Sequence, residues 1–434
     1  MTEPIPGQRA AQRTVAAVGG IGGVGENGFI ADGRTRLLDT LDAGFSLPSD
    51  WYADPALFAL ETRQLLRRSW HYAAHDGEIP APGDQIPGTI AGVPIVLVRG
   101  VDGEVHGFVN ICRHRAHLVV LEPRNRKALT CSYHGWTYDL DGRLKHAPRA
   151  DAETELDRSA CSLARVQVAR WGPTIWVNVD LDAPSFDQWI AGLPELVASR
   201  GVDLERHAFA VERSWEIRAN WKVFMDNAIE CYHCPTAHPE LSRALEMDPD
   251  LQESLVGGRN WIAHSIPFRR SGAAAANGGE GTEPARAVYH FHWIFPTTYL
   301  QYAGAGFDIG TVRALDVDRI SFQHLAFAPV DAGPDDIERL RLQLREDPTI
   351  LQDVGICERV QTAHASGAAQ PGRLLPRSEM FVQHFQRVVA ETLTAEWSSS
   401  RIGETNTPRR PGSPAPGSPA LDRTRCPTAG LACD

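Results

Sequence analysis

Two short stretches of the chain each pair a thiol with an imidazole. Cys112-Arg113-His114 is followed, after sixteen residues, by Cys131-Ser132-Tyr133-His134, a C-x-H-x16-C-x2-H pattern. Two such loops facing each other can hold a [2Fe–2S] cluster asymmetrically, with both thiolates on one iron and both imidazoles on the other. Neutral imidazoles in place of two anionic thiolates make such a cluster easier to reduce, so it accepts single electrons rather than acting as a strong reductant. A structural zinc ion is the competing occupant, but zinc fingers pair like with like, as C-x2–4-C and H-x3–5-H. Four unrelated core residues would leave both mixed pairs unexplained. Gly135 lets the chain turn tightly after His134, and Trp136 can shield a cluster from water.

A second group of donors lies in 220–238, which reads NWKVFMDNAIECYHCPTAH. The pattern predicts a helix over 221–233. Glu230 and His233, three apart, share a face of it. His233 and His238 are five apart, about 140° on an ideal helix, and do not converge unless the chain breaks. Pro235 supplies the break, because it has no N–H and disturbs the turn before it. Two imidazoles and one carboxylate make a facial triad that leaves positions on Fe(II) open for O2 and substrate. The carboxylate must come from elsewhere, and Asp353, in the segment 351–361, is the best candidate. A rival is zinc held by Cys231, Cys234 and His238, although this CxxC lacks a second pair. Glu358 reads as a structural acid. Asp226 either hydrogen-bonds within the site or holds the helix. Asn227, Tyr232, His290, His292, Tyr299, Tyr302 and Phe307 are pocket candidates for which packing in the core is the alternative.

The surrounding chain must position these groups. It has 434 residues, 43% hydrophobic, with a net charge of −11. That is ordinary globular composition, without the basic surface that nucleic-acid binding needs, and no apolar run is long enough to span a membrane. No signal-peptide core precedes the first element, so a cytoplasmic protein is expected. For the same reason the eight cysteines are not read as a disulfide framework, and Cys161 and Cys357 read as buried thiols. Residues 20–25 match G-x-G-x-x-G, but no strand–helix–strand unit follows, so a flexible Gly-rich arm is the better reading. Helical spacing over 54–70 gives way to short strands separated by turns, such as 93–98 and 105–110 around Asp102-Gly103. Further on, 288–295 and 321–328 read as strands, and 335–346, 349–364 and 377–396 as helices. Residues 272–284 form a small-residue loop. From 398 onward Pro, Ser, Gly and Arg dominate, and Cys426 and Cys433 there have no histidine neighbours.

The stretches 109–115, 131–138 and 220–238, with Asp353, resemble the catalytic α-subunits of the Rieske non-haem iron oxygenases, a family of aromatic-ring-hydroxylating dioxygenases and of amine and quaternary-ammonium monooxygenases. The resemblance covers about 47–395. The chain departs at Ala116, where the family usually has Gly, and at Gln352, where many relatives have Glu. It implies an α+β fold, with an all-β Rieske domain and a helix-grip type catalytic domain, an antiparallel sheet flanked by helices. The domains expected are a flexible arm over 1–45, a Rieske [2Fe–2S] domain with a preceding helix over 46–185, a mononuclear-iron domain over 186–397 and a disordered tail over 398–434. Cys112, His114, Cys131 and His134 fall on the cluster ligands, and His233, His238 and Asp353 on the iron ligands. In the family the acid at Glu230 bridges a cluster histidine and an iron histidine across a subunit boundary. The Glu-Cys-Tyr-His-Cys-Pro form is similar to oxygenases of amines and natural products, which implies monooxygenation; a ring cis-dihydroxylase is the alternative. A pure iron–sulfur electron carrier is the alternative of another class, and it would not need the triad. With no nicotinamide or flavin module evident, the resemblance implies a separate NAD(P)H-dependent flavin/iron–sulfur reductase, with or without a ferredoxin. It also implies a homotrimer, with or without a small β-subunit.

Overall fold

The computed structural model describes residues 31–153, 156–269, 287–304 and 306–395. The Gly-rich motif at 20–25, the loop over 272–284 and the tail from 398 lie outside the described residues. Short strands and tight turns build the first half, as their spacing requires. Strands β1 (His71–His75), β2 (Asp84–Ile90), β3 (Val93–Arg99), β4 (Val105–Val109) and β5 (Arg124–Asn125) share one sheet with two later strands. Between them, β6 (Leu129–Thr130), β7 (Thr137–Tyr138) and β8 (Leu144–His146) form a small three-stranded sheet. With β9 (Arg165–Trp171) and β10 (Thr174–Asn178), the larger sheet has the order β1-β10-β9-β4-β3-β2-β5. Both cysteines of the first constellation are buried beside Val96, Val98, Phe108 and Tyr138.

The second half is one antiparallel sheet of β11 (His207–Ile217), β12 (Glu253–Val256), β13 (Trp261–Pro267), β14 (Val288–Ile294), β15 (Thr298–Tyr302), β16 (Phe307–Asp316) and β17 (Arg319–Pro329), in the order β11-β17-β16-β15-β14-β13-β12. Partners across an antiparallel pair share a face. The registers therefore put Tyr289, Phe291, Tyr299, Gln301, Asp308, Gly310, His324 and Ala326 on one face. A Cβ at Gly310 would lie 2.0 Å from the Tyr299 ring, so glycine lets that ring lie across the sheet. Helices Trp221–Ala228, Thr349–Ala365 and Met380–Ala395 supply much of the core on this side, with Trp221, Trp293 and Phe385 buried together. The opposite face carries Phe307 and Phe327, which join Trp70 and Trp176 in a cluster shared with the first sheet.

Two expectations change. The arm expected over 1–45 contains a helix, Ala31–Asp42, that buries Leu37 and Leu41 in the core formed with helix Met380–Ala395. Its apolar stripe is too short to stand out from the Gly-rich sequence around it. The helix expected over 221–233 ends at Ala228. Asn220 starts it by accepting from Lys222 N at 3.0 Å. It stops because the Glu230 carboxylate takes the amides of Tyr232 and His233, which a continued helix would donate to carbonyls four residues back.

Candidate metal centres and cavity

The two loops of the first constellation are built alike. Cys112 N donates to His117 O at 2.8 Å and Ala116 N to Cys112 O at 3.1 Å. Cys131 N donates to Trp136 O at 2.9 Å and Gly135 N to Cys131 O at 3.0 Å. The fourth residue after each cysteine must adopt a left-handed backbone, with φ 55° at Ala116 and 73° at Gly135. Buried Asn110 anchors the first loop, accepting from Val119 N and Val120 N at 3.1 and 2.9 Å and donating to Val120 O at 2.7 Å. The thiols are buried, whereas His114 and His134 are exposed with ring centroids 4.6 Å apart. Trp136 stacks on His114 at 5.0 Å. The Tyr138 hydroxyl lies 3.3 Å from Cys112 Sγ and accepts from Arg113 N at 3.0 Å. Sequence reasoning gave Tyr138 no such role, since a tyrosine ending a short strand reads as packing.

In the second constellation, His233 Nε2 and His238 Nε2 lie 3.1 Å apart. Asp353 Oδ1 is 3.0 Å from His238 Nε2 and 3.4 Å from His233 Nε2. Two ligands about 2.1 Å from one ion and roughly 90–110° apart are about 3.0–3.4 Å from each other, so these donors fit a shared metal. His233 and His238 converge because the chain has left the helix before His233. Pro235 then starts a separate short helix, Cys234–Ala237, which ends at His238. Cys234 Sγ is 4.0 Å from His233 Nε2, and His233, Cys234 and His238 hold donor atoms within 4.8 Å of one another. Asp353 stands closer to both imidazoles than this thiol stands to His233.

Electrostatics favour a cation here. Burial opposes an imidazolium at His233, but Asp353, Cys234 and Glu230 outweigh it and push the group up to about 12. Burial also opposes ionisation of Asp353, yet His233, His238 and Asn227 hold its carboxyl below the usual range. The outer groups orient the imidazoles: Glu230 Oε1 lies 2.5 Å from His233 Nδ1, and Gln352 Oε1 lies 2.6 Å from His238 Nδ1. Gln352 was legible only as a departure from the resembled pattern.

These donors line a cavity of about 610 Å³ floored by the sheet face described above. Asn227 and Tyr299 line it, and so do Tyr302 and Phe307 at the turn between β15 and β16, although these two belong to the opposite face; Tyr299, Tyr302 and Phe307 are also buried. His290 and His292 do not. They share a face, but it is the one opposite Tyr289 and Phe291, where His292 meets the Tyr302 hydroxyl at 3.0 Å and His290 meets Ser265 at 3.0 Å. Tyr232 is 57% exposed and outside the lining. Asp226 accepts from Tyr52 and Gln386 at 2.7 and 2.9 Å, so it ties the helix to its neighbours. Glu358 faces Arg218 at 3.5 Å. Cys357 is buried and Cys161 half-buried. Another cavity, about 660 Å³ between His75, Glu78, Arg170 and Glu212, contains neither constellation.

A Rieske [2Fe–2S] domain model matches residues 69–168, and the catalytic-domain model of the ring-hydroxylating alpha subunits matches 204–395. The chain belongs to the Rieske non-haem iron oxygenases, catalytic alpha-subunit type. A Rieske oxygenase of this type combines a [2Fe–2S] domain with a mononuclear-iron catalytic domain, and both are present. The glycine betaine monooxygenase oxygenase subunit of Chromohalobacter salexigens is 36% identical over 215 residues, 49% of this chain and 48% of that one. The chain thus matches about half the length of that relative. The carnitine monooxygenase oxygenase subunit of Escherichia coli K12 is 27% identical over 356 residues, covering 80% and 93%. The solved quaternary ammonium Rieske monooxygenase CntA shares the fold, with a TM-score of 0.71 at 24% identity over 80% of this chain and 95% of that one. Among the described residues no helix is long and apolar enough to cross a membrane.

Proposed function

We propose that this protein is the oxygenase component of a cytoplasmic Rieske system. It uses O2 and reductase-supplied electrons to oxidise a small organic or natural-product substrate by monooxygenation, as hydroxylation, oxidative demethylation or oxidative cyclisation. The observation that carries this reading is the convergence of His233, His238 and Asp353 at 3.0–3.4 Å beside a cavity of about 610 Å³. A pure electron carrier needs no such convergence. The names of the glycine betaine and carnitine relatives support monooxygenation.

Cys112, His114, Cys131 and His134 are the cluster ligands in this reading, and His233, His238 and Asp353 the iron ligands. When bound, the cluster supplies single electrons, and the iron supplies open positions for O2 and substrate. Glu230 orients His233 through Nδ1, and Gln352 holds His238 by the same nitrogen. Each Glu230 oxygen has further lone pairs, so it can accept from a second imidazole of a neighbouring subunit. The exposed His114 and His134 suit that contact, and the study of the carnitine-oxidising relative names inter-subunit electron transfer. A homotrimer fed by an NAD(P)H-dependent flavin/iron–sulfur reductase, directly or through a ferredoxin, follows from this reading.

Metal analysis tests it. Loaded protein holds roughly three irons and two acid-labile sulfides per chain, and Asp353→Ala roughly two irons with the cluster spectrum intact. Fully loaded protein without a third iron, or an Asp353→Ala variant that still turns over, overturns the assignment.

A further inference from the structure

Two thiols flank His233, and no step of the proposed reaction uses them. Cys231 and Cys234 both line the cavity, and both are free. Cys234 is buried and Cys231 half-buried. Cys234 N donates to Cys231 O at 3.3 Å, so 231–234 is a tight turn. The Cα atoms at the ends of such a turn lie within about 7 Å, a span that a disulfide bridges. The side chains also meet: hydrogen-bond contact with the Cys231 thiol, ahead of burial, raises the Cys234 thiol above its usual range. On its other side Cys234 Sγ lies 4.0 Å from His233 Nε2. Tyr232, inside the turn, is exposed, so the turn sits at the rim of the cavity. Cys161 and Cys357 share no turn with another cysteine, and Cys357 lies within helix Thr349–Ala365.

We propose that Cys231 and Cys234 are an oxidation site: hydrogen peroxide in the cavity turns the dithiol into a disulfide, and the closed ring loosens the proposed iron ligand His233 between them. The source of the peroxide rests on the oxygenase reading above, because O2 that takes up two electrons and two protons with no substrate to oxidise leaves as hydrogen peroxide. The half-buried Cys231 sulfur attacks one peroxide oxygen, the O–O bond breaks, and the thiol proton leaves with the other oxygen as water. Cys234 Sγ then attacks the sulfenic acid on Cys231. The S–S bond forms, the S–O bond breaks, and the departing hydroxyl takes the Cys234 proton as a second water. The peroxide is reduced by two electrons, and the pair of thiols is oxidised by two. The turn already holds the ends together, so little chain entropy remains to be lost on closure. Bonded sulfurs lie about 2 Å apart, so closure draws Cys234 Sγ toward Cys231 and away from His233. A metal site tolerates donor shifts of only about 0.2 Å. A thiol reductant reopens the ring by exchange. The site thus stops turnover that makes peroxide instead of product.

Peptide mass spectrometry of the holoenzyme tests this, after a few equivalents of added hydrogen peroxide and alkylation of the remaining free thiols. Trypsin releases residues 223–243, which contain no other cysteine. That peptide should lose one hydrogen from each thiol and escape alkylation, and dithiothreitol should restore it. Iron should fall from roughly three to roughly two per chain while the cluster EPR signal is kept. Cys231→Ser should form no disulfide and keep its third iron through the same treatment, which separates closure of the ring from direct damage by peroxide. A peptide that stays reduced, sulfinic or sulfonic acid in place of the disulfide, a disulfide that leaves the third iron in place, or a Cys231→Ser variant that loses iron equally overturns the proposal. The peroxide is added, so the ring is read without turnover and the two readings separate. A ring that closes in a protein unable to insert oxygen overturns the oxygenase reading alone. A ring that stays open in an active oxygenase overturns the oxidation site alone.

Discussion

Asp226 should give the protein a stability that falls as pH rises. Burial pushes its carboxyl up to about 7, against an ordinary value of 3.8, and hydrogen bonds from Tyr52 and Gln386 and the charge of Lys222 only partly offset this. Its Oδ1 is buried with no hydrogen-bond partner. Below pH 3.8 folded and unfolded chains both hold the proton, and the full stability is present. Between there and about 7 the folded chain binds a proton that the unfolded chain has released, so stability is lost as pH rises. The separation of the two values corresponds to about 4 kcal/mol once pH exceeds the folded value. Asp226→Asn keeps an acceptor for Tyr52 and Gln386 and cannot ionise. Its amide nitrogen takes the place of the orphaned oxygen, which adds a cost that does not vary with pH. The measurement is the urea midpoint of wild type minus that of the variant across this range, together with the carbonyl stretch of a protonated acid in difference infrared spectra. The difference should turn against wild type by several kcal/mol between about pH 4 and 7, with the infrared band lost over the same interval. Parallel stability profiles, or no protonated-acid band at neutral pH, would refute the assignment.

Lys222 and Glu61 form a fully buried ion pair at 2.6 Å, so Lys222→Met leaves an uncompensated carboxylate. It should cost about 3–5 kcal/mol, and adding Glu61→Gln should recover part of that in thermal unfolding. Tyr138→Phe removes the hydroxyl 3.3 Å from Cys112 Sγ. With Cys112 as a cluster ligand, as proposed, a hydrogen bond to its sulfur favours the reduced, more negative state, so the cluster potential should fall, and about 1 kcal/mol is about 40 mV for one electron. Redox titration followed by EPR checks it. Ala116→Gly relieves a left-handed alanine at φ 55° and should raise thermal stability by about 1 kcal/mol.

What could be read from the sequence was local in origin. Both loops of the first constellation are short, and each carries its thiol, its imidazole and, at Gly135, its turn within a few residues. The start of the helix at Trp221 was legible because Asn220 caps it with its own side chain. Its end was not, because the acid that stops it, Glu230, is itself compatible with a helix and acts through backbone amides of a turn. Helix Ala31–Asp42 depends on burial of Leu37 and Leu41 beside a helix some 340 residues later, and no local pattern reports such a partner. Asp353 was within reach because the triad demands a carboxylate, but its distance to the imidazoles depends on how helix Thr349–Ala365 packs on Trp221–Ala228.

The cavity shows why alternation alone does not locate a pocket. Period-two alternation puts His290 and His292 on one side of the sheet and Tyr289 with Phe291 on the other. It could not say which side holds the cavity, because aromatic residues line both: Phe307 and Phe327 meet the first sheet, while Tyr299 and Phe322 meet the helices. A sheet exposed on one face would have marked its buried side by polarity. Here both faces are covered, so the polar residues left among the aromatics carry the information instead. Asp308, Gln301 and His324 lie on the face that the iron-site helices close over. Polar groups kept on a largely apolar floor are costly unless something meets them there, so they, rather than the aromatic residues, mark the side on which the cavity lies.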